Sequence, residues 1–187
     1  QVTATTDASS VTFDETAPVT TAVSGPSGPS NDEDPTFEFT ATDTGGTGVA
    51  SSRATLSGAA SAGPVVVTSP FKASDVLGSV LSTNGGYTMS VVSTDNAGNV
   101  ETTATWTWTY DNVAPTLTTV TIASSNANAT LAKVGDTVTV SFVSDEDLKA
   151  SPAVTIDGNA ADAVTQGTDA QHWTATRLMQ TGDTEAG

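Results

Sequence analysis

The sequence predicts an all-β protein of tandem sandwiches, and three observations carry that prediction. Thr, Ser and Val are abundant while Lys and Glu, the usual makers of soluble helices, are scarce; β-branched side chains suit a pleated, half-buried surface. Apolar residues alternate with polar ones at a period of two in several segments. The stretch Thr12-Phe13-Asp14-Glu15-Thr16-Ala17-Pro18-Val19 returns as Thr109-Tyr110-Asp111-Asn112-Val113-Ala114-Pro115-Thr116, an offset of 97 residues, close to the length of one sandwich domain.

The repeat divides the chain. Residues 1–14 read as the last strand of a preceding unit, 15–111 as a complete sandwich and 112–187 as a sandwich lacking its last strands, the counterparts of residues 86–95 and 103–110. Within the complete unit, Phe37, Phe39 and Ala41 alternate with Glu38, Thr40 and Thr42, as Tyr87, Met89 and Val91 do with Thr88, Ser90 and Val92. Ala104, Trp106, Trp108 and Tyr110 interleave with four threonines, and the all-Thr opposite face makes this aromatic row the one to bury. Turns are expected at Ser24–Pro29, Thr44–Gly48 and Asn84–Gly86, where Gly supplies positive φ and Pro presets φ. Only Phe71–Leu81 has room for a turn or two of helix. In the second unit Val138, Val140 and Phe142 form one face of a strand, Val154 and Ile156 precede an Asp157-Gly158 turn, and Trp173 and Ala175 belong to a strand ending near Arg177.

Charge and composition exclude several functions. Five Lys and Arg against 21 acids give a net charge of -16, which makes no basic stripe for phosphates and is repelled by anionic membranes. No apolar run is long enough to cross a bilayer as a helix. The single histidine, His172, is expected on an edge strand, without a nucleophile elbow, metal-ligand pair or phosphate loop, so the chain reads as non-enzymatic. The absence of cysteine fits a reducing cytosol and also surface proteins of bacteria that fold without disulfides, and the Thr- and Ser-rich, charge-poor composition leans towards the second.

The junctions Phe13-Asp14-Glu15-Thr16-Ala17-Pro18 and Tyr110-Asp111-Asn112-Val113-Ala114-Pro115 resemble those of bacterial immunoglobulin-like repeats, found in tandem in large surface and secreted adhesins. So do Ala41-Thr42-Asp43-Thr44-Gly45-Gly46-Thr47-Gly48-Val49-Ala50, Thr94-Asp95-Asn96-Ala97-Gly98-Asn99-Val100 and Lys133–Phe142. The resemblance implies immunoglobulin-like Greek-key sandwiches, an extracellular or bacterial cell-surface location, and neighbouring repeats or subunits as partners, with a host protein or surface glycan as a ligand. It implies no reaction.

The candidate metal ligands are the junction acids Asp14, Glu15, Asp111 and Asn112, joined by the loop acids Asp43 and Asp95. Ca²⁺ takes six to eight hard oxygens from such groups, and the junction is similar to the calcium-stiffened linkers of cadherins. The competing reading is local: Asp and Asn side chains bond nearby backbone ahead of a proline, and an Asx turn with Gly98 at positive φ explains the loop at Asp95. The leading function is a structural and adhesive repeat module that extends or stiffens a cell-surface adhesin or appendage, and two other functions stand beside it. One is a filament subunit in which the N-terminal strand completes the C-terminal sandwich of the next copy. The other is a carbohydrate-binding module stacking sugars on Trp106, Trp108 and Tyr110.

Overall fold

The computed structural model describes residues 11–101 and 103–183, and the chain divides into two compact units between Asn112 and Val113. Among the described residues the protein is all-β apart from one short helix.

Unit 1 is a two-sheet sandwich. Its smaller sheet contains β1 (Val19–Ser24), β3 (Thr36–Thr42) and β6 (Phe71–Lys72), in the order β1-β3-β6. The larger contains β2 (Gly28–Ser30), β4 (Val49–Gly58), β5 (Ala62–Val67), β7 (Gly85–Asp95) and β8 (Ala104–Tyr110), in the order β2-β8-β7-β4-β5. The period-two segments become strands because each presents one apolar face to the other sheet. Cross-strand register lines up Leu56, Met89 and Trp106, and beside them Tyr87 and Trp108, whose rings stack at 5.5 Å. From the opposite sheet Phe37 fills the centre, 5.5 Å from Trp106 and 5.3 Å from Trp108 and Phe71. The aromatic row is therefore core, and no ring of it is open for a sugar to stack on.

The expected turn at Ser24–Pro29 is corrected: its second half is β2, which runs parallel to β8 with Gly28, Pro29 and Ser30 opposite Trp108, Thr109 and Tyr110. All other pairings of the described strands are antiparallel, whereas this one joins the entering chain to the last strand of the unit in parallel. Between Phe71 and Leu81 lies the helix, α1 (Ala73–Leu77). It starts where Asp75 accepts the Lys72 amide and Asp34 accepts the Ser74 amide, and it stops at Gly78, whose φ of 81° suits a residue without a Cβ.

Between the sheets runs a short polar seam. Thr20 Oγ1 meets Ser93 Oγ at 2.6 Å, Ser93 meets Ser52 at 2.8 Å, and the Glu101 carboxylate accepts the Thr20 amide. Buried hydroxyls are tolerated there because each has a partner, and the seam ties edge strand β1 to β7.

Unit 2 has one four-stranded sheet made of β9 (Leu117–Ser124), β10 (Thr137–Ser144), β13 (Ala163–Gln166) and β14 (His172–Leu178), ordered β13-β14-β10-β9, and a hairpin of β11 (Thr155–Ile156) and β12 (Asn159–Ala160). The Asp157-Gly158 turn closes that hairpin with both residues at positive φ, as the sequence predicts. Phe142, Trp173 and Ala175 form a small core with Val140, Leu148, Val154 and Val164. Along edge strand β9, however, Leu117, Val120 and Ile122 stay exposed, the first two lining a groove of about 380 Å³. His172 does not lie on an edge strand: β14 is flanked by β13 and β10, and the imidazole reaches Asp169 at 2.7 Å on the surface.

A candidate metal centre in unit 1

At one end of unit 1 three acids from three separate stretches converge. Asp14 lies in the segment entering β1, Asp43 directly follows β3, and Asp95 ends β7. One carboxylate oxygen from each lies within 4.8 Å of the others.

Local chemistry places each side chain. In the loop after β7, Asp95 Oδ1 accepts the amides of Ala97, Gly98 and Asn99 at 2.7–2.9 Å, an Asx-type turn in which Gly98 takes a φ of 98°. Asp95 is only 2% exposed. Asp14 Oδ2 accepts both the amide and the hydroxyl of Thr47, at 2.6 and 2.8 Å, while Oδ1 accepts the Thr16 amide. These donors, the Thr16 and Thr47 amides first, hold the Asp14 carboxyl below the usual carboxylate range. Asp43 Oδ2 accepts the Gly48 amide at 2.7 Å. Asn99 completes the frame, donating from Nδ2 to Asp95 Oδ2 at 2.8 Å and to the Asp14 backbone carbonyl at 3.0 Å. Asn96 bonds the carbonyls of Thr47 and Gly48, so the two loops are fixed to each other.

Two features fit a hard divalent cation. Asp43 Oδ1 is buried and has no hydrogen-bond donor among the described residues, and an unpartnered buried carboxylate oxygen is costly. The cluster is made only of oxygen donors, with neither histidine nor cysteine, which matches Ca²⁺ chemistry and not that of zinc.

The six residues singled out in the sequence do not form one site. Asp111 and Asn112 sit at the opposite end of the unit, where Asn84 donates to Asp111 Oδ1 at 3.3 Å and accepts the Asn112 amide. Asn84 precedes the first residue of β7 and Asp95 is its last, so the two places are separated by the length of an eleven-residue strand, roughly 33 Å. Glu15 is exposed and stands outside the cluster. Thr47 and Asn99, which hold the acids in place, had no signal of their own beyond lying in the two Gly-containing loops. In unit 2 the acid that follows β10, Asp145, has both oxygens taken by the amide and hydroxyl of Thr116, at 2.8 and 2.5 Å.

Comparison with protein-family models, curated proteins and solved structures gives no match for this chain.

Proposed function

We propose that this chain is a non-enzymatic, extracellular spacer of immunoglobulin-like repeats, part of a bacterial surface adhesin or appendage, in which Ca²⁺ bound by Asp14, Asp43 and Asp95 stiffens the point where the chain enters unit 1. The carrying observation is the convergence of Asp14, from the entry segment, with two acids on loops of the sandwich itself. A cation there neutralises three clustered carboxylates and fixes the entering chain against the domain. The two-sheet arrangement with a parallel β2–β8 pair is the support for the immunoglobulin-like topology. Thermal unfolding in calcium and in chelator tests the site: a ligand that binds only the folded state raises the midpoint, and identical midpoints would sink the calcium joint. Cell fractionation with surface labelling tests the location.

A second reading, a filament subunit, is favoured by one observation. Val11 and Phe13, at 94% and 82% exposure, form an apolar alternation outside any strand, and edge strand β9 of unit 2 leaves Leu117, Val120 and Ile122 uncovered. Insertion of the first segment of one copy beside the sheet of another covers both. Sedimentation of the full chain and of a variant lacking residues 1–13 tests it. Equal behaviour of the two speaks against strand exchange.

A further inference from the structure

Asn84-Gly85 is the one Asn-Gly step in the sequence. It lies where the chain turns into β7, at the end from which the chain leaves unit 1, and Asn84 is exposed. The fold requires each of the two residues for its own reason. Gly85 holds a φ of 143°, which residues with side chains rarely adopt, and a Cβ there would stand 3.0 Å from the Ala59 Cβ. Asn84 is a two-ended latch on the leaving chain: Nδ2 donates to Asp111 Oδ1 at 3.3 Å, and Oδ1 accepts the Asn112 amide at 3.2 Å. A carboxamide serves both ends, since one needs a donor and the other an acceptor; a carboxylate serves only the second. Both bonds are long and the side chain is in water, so the latch opens often. The pair that this geometry selects is also prone to react with itself, because a glycine leaves its backbone nitrogen unscreened by a Cβ beside the thermolabile asparagine carboxamide.

We propose that Asn84-Gly85 is a self-modification site that converts the exit latch of unit 1 with time. When the carboxamide leaves its partners, the Gly85 backbone nitrogen attacks Asn84 Cγ. A C–N bond forms, the Cγ–Nδ2 bond breaks, and Nδ2 departs as ammonia with the proton that the Gly85 amide gives up. The five-membered imide then takes up one water. Opening at Cγ leaves an ordinary aspartate at position 84; opening at the main-chain carbonyl leaves isoaspartate, with the backbone routed through the former side chain. Water is the only co-reactant. Either product puts a carboxylate where Nδ2 faced Asp111 Oδ1, so a donor–acceptor contact becomes a like-charge one. Isoaspartate also adds a carbon to the main chain just ahead of Gly85, which pairs with Tyr110 as the first rung of the β7–β8 ladder. The change is confined to the exit end and depends on neither the calcium joint nor the spacer reading.

The full chain, kept folded in mildly alkaline buffer with chelator, is sampled over time by peptide mass spectrometry with an isoaspartate assay. Ammonia loss and isoaspartate should accumulate in the peptide that contains Asn84, at a rate proportional to hydroxide, and Asn84→Gln should abolish both. Asp111→Ala removes one of the two bonds that hold the carboxamide and should speed conversion in the folded chain about threefold or more. No conversion at Asn84 while the same chain unfolded in urea converts fully overturns the site, and an Asp111→Ala rate equal to that of the parent overturns the latch. The consequence for the fold is read on variants that stand for the main product. Asn84→Asp should lower the melting midpoint of unit 1. Adding Asp111→Asn to it should raise the midpoint again, because amide and carboxylate then exchange roles, and Asp111→Asn alone closes the double-mutant cycle. A double variant no more stable than Asn84→Asp, or an Asn84→Asp midpoint equal to that of the parent, overturns the conversion of the latch.

Discussion

The side-chain amide of Asn99 donates to the backbone carbonyl of Asp14 at 3.0 Å, joining the last loop of unit 1 to the chain that enters it, and the same nitrogen donates to Asp95 Oδ2 at 2.8 Å. One neutral residue thus holds two of the three clustered acids in register. Asn99→Ala removes both bonds and is expected to cost about 1–2 kcal/mol in urea denaturation. Asn99→Asp keeps the size and adds a fourth carboxylate. In chelator it should be the less stable of the two variants, and calcium should restore it more than it restores the alanine variant. A calcium response no larger for Asn99→Asp than for Asn99→Ala would remove Asn99 from the site.

Gly46 lies against the Asp43 carboxylate so closely that a Cβ there would land on both oxygens. Its φ does not lie in the left-handed region, so Gly46→Ala strains no backbone and acts by pushing Asp43 aside. The expected outcome is a fold whose stability in chelator stays within about 1 kcal/mol of the parent, combined with at least about tenfold weaker calcium binding by calorimetric titration, a loss of about 1.4 kcal/mol. Unchanged calcium affinity would mean that Asp43 is not a ligand.

The parts of this structure that were legible in the sequence are those fixed locally. Strands β3, β7, β8, β10 and β14 announce themselves because one face of each is buried and the other is not, which imposes a period of two. The loop at Asp95 is legible for a similar reason, since its donors are the next few residues. β2 was not legible: Gly28-Pro29-Ser30 carries turn chemistry, and only its position beside Trp108–Tyr110 makes it a strand. The acids were legible as oxygen donors, but which of them meet depends on strand direction. Asp14 and Asp111 are equivalent in the repeat, yet β7 separates their surroundings by its whole length. Thr47 and Asn99 escaped notice because they supply donors to the acids and are not themselves acidic.

Acid should weaken unit 1 through Asp14. Its folded pKa lies below the ordinary value because the Thr16 and Thr47 amides and the Thr47 hydroxyl stabilise the charged form. A group depressed in this way contributes stability above its unfolded pKa of about 4, and that contribution disappears as the pH falls through the lower, folded value. Melting midpoints of the parent in chelator should therefore drop steeply below about pH 4. Asp14→Asn cannot lose this charge, so its acid limb should be shallower while its midpoint at neutral pH is lower. Parallel curves for the two proteins would show that the Thr47 contacts contribute nothing to folding.

The two faces of the hydrophobic pattern predict opposite outcomes for equally drastic substitutions. Phe37 is fully buried and packs within 5.3–5.5 Å of Phe71, Trp106 and Trp108, so Phe37→Ala opens a cavity between the sheets and should cost about 3–5 kcal/mol. Ile122, on the edge strand of unit 2, is 68% exposed, and Ile122→Ser should change stability by no more than about 0.5 kcal/mol if nothing covers that strand in solution. Denaturation at several protein concentrations separates the cases. If Ile122→Ser is instead costly, and the cost grows with concentration, a second copy covers β9 and the filament reading gains the support that the monomeric spacer loses.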